Sequence, residues 1–244
     1  MKRIEPICPL LRALVCIVTE QKQKGMKGYW IQVLLVVCSL NAFGQSTEFG
    51  IQVNSGFFRF SGESAEKREM INYNLDKEDG YTNNPYGNKY GLSYGLSVNV
   101  IRTSSSNVRV GIDIGYEVLR SQIDIDAVFQ RSDGISETVP ASGKTMLNSS
   151  FLNLFPSLGY KITTPDFDLN IDGGFDLGFC IDATEKGSAT TATRTYQTQR
   201  DRKTIDVDFR PRIQVGIQKN RIGGYLGYSR GLRNYRSGIS GGTN

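Results

Sequence analysis

Residues 167–182 read FDLNIDGGFDLGFCID, and residues 205–218 read IDVDFRPRIQVGIQ. In both segments apolar residues alternate with polar residues or glycine. Side chains alternate across a strand, so each segment predicts a long strand that is apolar on one face and polar on the other. Globular strands usually have about 5–6 residues, whereas tilted strands of about 9–11 residues cross a bilayer. The two segments therefore predict a sheet closed into a transmembrane β-barrel.

Five further segments alternate in the same way, at about 47–60, 89–101, 108–118, 152–162 and 222–229. Long polar inserts follow the first, third and fifth strands (61–88, to about 145, and 183–203), and short turns follow the others. Outer-membrane barrels have short periplasmic turns and longer external loops. The spacing therefore predicts an antiparallel up-and-down barrel with its long connections on the cell exterior.

Two local features qualify this pattern. The apolar phase of the third strand shifts near Arg120, which predicts a β-bulge. Pro156 has no N–H group to donate, which predicts weakened pairing in the fourth strand.

Seven strands are an odd number for a closed barrel, which has no free edge. The last residues, 240–244, resemble the start of a fourth long loop. We therefore expect an all-β barrel of eight-strand type over residues 45–244, with its last strand missing from this chain.

The N-terminal residues have the pattern of a secretory signal peptide. A short positive region at 26–30 precedes an apolar run at 31–40, and small residues stand at Ala42 and Gly44. This pattern predicts a signal peptide at 26–44, cleaved between Gly44 and Gln45. The apolar run is too short for a membrane-spanning helix. Residues 1–25 are interpreted as an upstream extension, and the mature chain is predicted to lie in the outer membrane.

Composition argues against several kinds of chemistry. The net charge of +5 comes mostly from residues 1–44, so there is no basic patch that would indicate nucleic acid. The chain has no histidine, which removes the usual general base and the commonest metal ligand. Cys180 is the only cysteine after the predicted cleavage site, which leaves no intrachain disulfide. We predict no enzymatic activity, no cofactor and no metal.

The polar face of the later strands carries many charged residues. An eight-stranded barrel has an interior just wide enough for side chains, and an isolated buried charge is costly. We therefore predict that these charges pair across the lumen, and that the glycines among them relieve crowding there. The alternatives are a proton or ion pathway, or a hydrolase with paired carboxylates. The predicted network consists of Arg109, Asp113, Glu117, Lys161, Asp168, Asp172, Asp176, Asp206, Asp208, Arg210 and Arg212.

The same alternation places aromatic residues on the opposite face. Tyrosines there are candidates for the girdles that lie at the two membrane interfaces. They are Tyr90, Tyr94, Tyr116, Tyr160 and Tyr228.

Three stretches resemble the PorT-like outer-membrane β-barrel domain family. Residues 225–235 (YLGYSRGLRNY) resemble its penultimate strand, residues 152–160 (LNLFPSLGY) its middle strand, and residues 42–45 (AFGQ) the ends of its signal peptides. The resemblance covers about residues 45–244 and depends on patterns, with no catalytic motif. It implies a single-domain, eight-stranded barrel of a Gram-negative outer membrane, inserted by the barrel-assembly machinery. Many members have no assigned activity.

Two functions remain open at this stage. The first is a non-enzymatic outer-membrane barrel with a filled lumen, whose long external loops have a structural or surface-interaction role. Its partners would be outer-membrane lipid, the assembly machinery and a surface ligand. The second is a soluble, lipocalin-like periplasmic barrel that binds an apolar ligand. A lipid-modifying hydrolase is weaker because no histidine accompanies a serine.

Overall fold

A computed structural model describes residues 46–63 and 65–235, which form ten β-strands and no helix. The strands are β1 Ser46–Phe58, β2 Arg68–Asn74, β3 Asp79–Thr82, β4 Lys89–Thr103, β5 Val108–Ser132, β6 Ile135–Thr163, β7 Asp168–Thr190, β8 Thr195–Asp201, β9 Val207–Lys219 and β10 Ile222–Ser229. Contacts divide the chain into Met1–Gln45 and Ser46–Asn244. The predicted extension, signal peptide, cleavage at Gly44–Gln45 and final loop at 240–244 all lie outside the described residues.

The ten strands form one sheet, in which seven main strands follow the order β1-β4-β5-β6-β7-β9-β10. Each of these seven pairs antiparallel with its neighbours in that order, and each corresponds to one of the seven predicted segments. Two of the short turns contain an asparagine in the left-handed region: Asn107 and Asn220 have positive φ angles of 64° and 57°. In the first turn, the Ser104 hydroxyl accepts a hydrogen bond from the N–H of Val108 at 3.1 Å. The prediction of an all-β antiparallel sheet is confirmed.

The sheet curls so that its first strand approaches its far end. Glu48 of β1 accepts a hydrogen bond from Gln218 of β9 at 3.3 Å and lies 3.7 Å from the Lys161 ammonium of β6. Strands this far apart in the sheet order can share contacts only if the sheet is strongly curved. Within residues 46–63 and 65–235, however, β1 and β10 do not pair. The described sheet is therefore open, and a closed barrel is not seen in it.

The predicted long inserts are not loops. Strands β5 and β6 have 25 and 29 residues and meet at a turn where Asp133 and Gly134 have positive φ, so the supposed insert before Thr145 is a β-hairpin. The first insert contains β2 and β3, and the third contains β8. β2 runs parallel to β5, a long-range pairing that local alternation does not reveal.

These additional strands enclose a hydrophobic core of their own. We call residues 66–88, 121–147 and 184–203 the cap. Its core is formed by Ile71, Tyr73, Ile123, Ile125, Val128, Ala189 and Tyr196. A buried ion pair also holds parts of the cap together. The fully buried Glu185 of β7 accepts a hydrogen bond from the Arg202 guanidinium at 2.7 Å. It accepts another from the N–H of Thr82 of β3 at 3.0 Å.

The predicted bulge near Arg120 is wrong for β5. The register of β5 against β6 is unbroken from Val108 to Ile125, and odd-numbered side chains stay on the concave side over this range. The character of the inward residues changes there: they include Arg109, Asp113 and Glu117 below this level, and Leu119, Ile123 and Ile125, with the neutral Ser121, above it. The register irregularity at this level lies in β4, between Tyr90 and Tyr94.

Pro156 affects pairing as predicted. Leu154 pairs with Leu177 and Ser157 with Gly174, and the ladder between β6 and β7 is interrupted at the two residues between them.

A second apolar cluster separates the inner charged residues from the cap. It contains Leu119, Phe151, Cys180, Ala183 and Ile205, with Phe58 and Tyr235 packed against it. On β5, Leu119 follows the charged inward residues and precedes the cap core residue Ile123. We call this cluster the plug, since it fills the concave side between the two regions.

We expect substitution of Ile123 by alanine to destabilise the cap, because the side chain is 1% exposed in the cap core. A buried Ile→Ala change costs about 2–5 kcal/mol. Hydrogen exchange should become faster at the amides of β2 and the distal part of β5. The matched control is Ile135→Ala, since Ile135 is 75% exposed at the tip of the hairpin. Equal exchange in the two variants would contradict the assignment of this core.

Candidate functional site: the inner charge network

We call the part of the main strands between the plug and the short turns the lower sheet. Charged side chains cover its concave face, and we call this face the inner face. They project from alternate positions of β5, β6, β7 and β9, as the alternation of these strands requires. Of the eleven predicted network residues, ten lie on this face. Most are almost fully buried, and they form three groups from the plug downward.

The upper group centres on Arg210, whose side chain is 3% exposed. Its Nη2 lies 2.5 Å from Glu117 Oε1 and 3.3 Å from Asp176 Oδ2, and its Nε lies 3.7 Å from Asp208 Oδ2. It also donates a hydrogen bond to the side-chain oxygen of Asn153 at 3.2 Å. One guanidinium therefore connects β5, β6, β7 and β9.

Tyr235 completes this group from beyond β10. Its hydroxyl donates to Asp208 Oδ2 at 2.9 Å, and its ring packs edge-on against Phe60 and Tyr86. Burial, and then the negative charge of Asp208, raise the pKa of Tyr235. The phenol thus stays protonated and acts as a hydrogen-bond donor.

The middle group contains two arginines and two aspartates. Arg109 Nε donates to Asp172 Oδ1 at 3.0 Å, and both side chains are buried. Arg212 lies over the ring of Phe155 at 4.5 Å and donates to Gln214 at 2.9 Å. Asp113 is 5% exposed and lies in the electrostatic field of both arginines.

The lower group lies near the short turns. Lys161 Nζ is 2.9 Å from Asp168 Oδ2 and 3.7 Å from Glu48 Oε1. Through this lysine, β1 is joined to β6 and β7. Together the three groups connect strands that are not neighbours in the sheet.

Asp206 does not belong to the network, and this part of the prediction is wrong. Its side chain is 92% exposed and lies 3.3 Å from the ammonium of Lys203. The reason is that Ile205 turns inward to join the plug, so its neighbour faces outward. In the sequence, apolar and polar residues alternate without interruption through residues 205–208. In the structure, the inward side chain is apolar at the plug, where Ile205 lies, and charged below it, where Asp208 lies.

Glycines on the inner face make room for the charged groups, as predicted. A Cβ added to Gly178 would lie 3.0 Å from the Arg210 guanidinium, and one added to Gly111 would lie 2.8 Å from the Ser157 hydroxyl. A Cβ at Gly159 would collide with Asp172. The network therefore depends on these positions having no side chain.

Sequence reasoning missed several members of the network. Glu48 lies on the polar face of β1 and could have been found by extending the search to the first strand. The alternation also places Asn153, Gln214 and Gln218 on the polar face, but they are neutral and a search for charged residues does not include them. Tyr235 follows the last strand, and no periodic signal places it near Asp208.

The arrangement joins β1, β5, β6, β7 and β9 through their inward side chains. The inner carboxylates pair with arginine or lysine, or lie in their field, and Asp208 also accepts the hydrogen bond of the Tyr235 phenol. Within residues 46–63 and 65–235, no group of three or more acidic or cysteine side chains could hold a metal ion. Cys180 is buried in the plug.

The chain was compared with protein-family models, curated proteins and solved structures, and no match was found in any of the three. In the part of the chain that the structure describes, no helix is long and apolar enough to cross a membrane.

Replacing Arg210 by methionine should lower the free energy of unfolding by about 3–5 kcal/mol, because buried carboxylates would lose their cation. Urea unfolding followed by circular dichroism in detergent would measure this. Arg221→Met is the matched control, since Arg221 is exposed at the turn before β10. Adding Glu117→Gln and Asp176→Asn to Arg210→Met should recover part of the loss. If the single variant is as stable as the control, the network does not stabilise the fold.

Proposed function

We propose that this chain is a non-enzymatic outer-membrane β-barrel protein, with its curved sheet in the bilayer and its cap on the cell exterior. Its role is structural or one of surface interaction. The observation that carries the proposal is a belt of exposed apolar side chains on the convex face of all seven main strands. Membership of the PorT-like family, which the resemblance in the sequence suggests, is part of the same proposal.

The belt is formed by outward side chains that no part of the described chain covers. It consists of Phe49, Ile51, Val53 and Phe57 on β1; Leu92, Leu96, Val98 and Val100 on β4; Val110, Ile112 and Ile114 on β5; Leu152, Leu158 and Ile162 on β6; Ile171, Phe175 and Phe179 on β7; Phe209, Ile213, Val215 and Ile217 on β9; and Ile222 and Leu226 on β10.

Water is a poor solvent for such a surface. Soluble monomers rarely expose contiguous apolar patches larger than a few hundred Å², and this belt extends over seven strands. Several of its members are more than three-quarters exposed, such as Phe49, Val53 and Leu226. Lipid chains would remove this surface from water, which is the reason for a membrane location.

The polarity of the inner face argues against the lipocalin-like alternative. A barrel that carries an apolar ligand needs an apolar interior. Here the inner face is occupied by charged groups such as Arg109, Asp172 and Arg210, and the apolar residues face outward. The observed arrangement supports the membrane proposal in preference to a periplasmic carrier.

Tyrosines add a second line of support. Tyr90, Tyr94 and Tyr116 lie toward the cap end of the belt, and Tyr160 lies toward the short turns. All four are on the convex face, between 45% and 57% exposed. Tyrosine is enriched at both membrane–water interfaces, so these positions suit the two limits of the bilayer.

The interior and the cap suggest where function resides. Ion pairs fill the inner face and the plug lies above it, which disfavours a role as an open pore. The cap, by contrast, carries an open polar cleft of about 450 Å³, lined by Glu78, Asp79, Lys186, Gln197 and Gln199 among others. A surface ligand would bind to the cap, and the partners of the lower sheet would be lipid and the assembly machinery.

Adjacent residues of β9 give a direct test. In a Cys180→Ala background, Ile213→Cys and Gln214→Cys would each carry a fluorescent label in reconstituted bilayers. Ile213 is 55% exposed and Gln214 is 7% exposed. A lipid-soluble quencher should therefore reach the label at 213 much more strongly than the label at 214.

A label at Ile135→Cys, in the cap, serves as the control and should respond only to a water-soluble quencher. Quenching of the label at 213 by the water-soluble agent alone would overturn the membrane assignment. Recovery of the native chain in the soluble periplasm would favour the carrier instead.

A further inference from the structure

Two arginines lie at the cap end of the apolar belt, each against a tyrosine ring. The Arg59 guanidinium lies 4.7 Å from the centre of the Tyr90 ring. The Arg120 guanidinium lies 4.9 Å from the centre of the Tyr94 ring, and its Nη2 donates to the Tyr94 hydroxyl at 3.4 Å. Arg59 directly follows β1, the two tyrosines lie on β4 and Arg120 lies on β5, so the four residues form one patch on the convex face.

Neither guanidinium is neutralised by an acidic side chain in the described part of the chain. Arg59 donates to the neutral side chain of Asn88 at 3.1 Å. The Nε atom of Arg120 is shielded from solvent and has no hydrogen-bond partner. Lys89, the nearby cation on β4, is paired with Asp124. The patch therefore has two positive charges whose partners are aromatic or neutral.

The geometry of the pairs suits an anionic ligand. A ring beneath the guanidinium plane orients the side chain through a cation–π contact. A planar guanidinium offers paired N–H donors that match phosphate oxygens. Because the rings already hold both arginines, little side-chain freedom would be lost on binding.

The location of the patch decides which phosphate it would meet. Directly below it, Phe57 and Leu92 are 76% and 55% exposed on the same face. The patch thus joins a cationic upper part to an apolar lower part. A lipid has the same two parts, with its phosphate at the interface and its acyl chains in the hydrocarbon.

We propose that Arg59 and Arg120, held by Tyr90 and Tyr94, bind the headgroup phosphate of an anionic lipid in the leaflet beside the cap. The inference depends on the proposed membrane function, because only in a bilayer would the apolar residues below the patch meet acyl chains. The bound lipid would cover the joint between β1, β4 and β5 and stabilise the protein.

The test uses the full chain in nanodiscs and the double variant Arg59→Gln/Arg120→Gln. Native mass spectrometry would count lipids retained after release from discs of phosphatidylglycerol or phosphatidylcholine with identical acyl chains. The unaltered protein should retain phosphatidylglycerol preferentially, and the double variant should lose this preference by about tenfold. The thermal midpoint in phosphatidylglycerol should fall toward its value in phosphatidylcholine.

The matched control is Arg131→Gln/Arg221→Gln, which removes the same charge from the cap and from a short turn. It should retain the lipid preference. A tyrosine variant, Tyr90→Leu/Tyr94→Leu, keeps both arginines and should weaken retention, since the guanidiniums are no longer oriented.

The outcomes separate the two proposals. Failure of every variant to enter any bilayer would overturn the membrane function itself. Normal insertion with equal phosphatidylglycerol retention in the Arg59→Gln/Arg120→Gln and control variants would overturn the lipid site alone. Displacement of the lipid by millimolar inorganic phosphate would show a site for free phosphate, which also overturns the proposal.

Discussion

The alternation of side chains between the two faces of each strand is the constraint on which this structure depends. Each long strand passes through two different surroundings, and its inward and outward side chains have to suit both. In the lower part of β5, Arg109 and Asp113 face inward while Val110 and Ile112 face outward. Farther along the same strand, Ile123 and Ile125 face inward. The backbone continues without a break, so the inward side changes from charged to apolar at the plug. Such an inversion is what a strand needs if it leaves hydrocarbon and enters water.

The inner face follows from the same constraint. If the apolar residues face outward, the concave side must be filled by polar side chains, and in a narrow space these have to be paired. Arginines meet this need because one guanidinium reaches several carboxylates, as Arg210 does. Glycines at 159 and 178 give the necessary space. Carboxylates outnumber cations on this face, which explains why neutral donors such as Tyr235 and Gln218 also take part.

Much of this could be read from the sequence, and the failures have physical causes. The seven main strands, their short turns and ten of the eleven network residues follow from period-two alternation. The cap strands do not, because β2 and β8 are short and because the parallel partner of β2, β5, is distant in the chain. The shift of the apolar phase near Arg120 resembles a bulge in the sequence, because a change of surroundings and a change of register give the same pattern. The same ambiguity misplaced Asp206, whose neighbour Ile205 joins the plug.

The edges of the described sheet impose a further requirement on a membrane function. Backbone N–H and C=O groups along an edge strand find no partners in hydrocarbon, and each unsatisfied group costs several kcal/mol. Within residues 46–63 and 65–235, β1 and β10 are such edges. The contacts of Glu48 with Lys161 and Gln218 hold β1 close to the far side of the sheet. A bilayer location would therefore require the backbone groups of β1 and β10 to be paired. The belt on these two strands, from Phe49 to Phe57 and from Ile222 to Leu226, already has the outward apolar face that a closed wall requires.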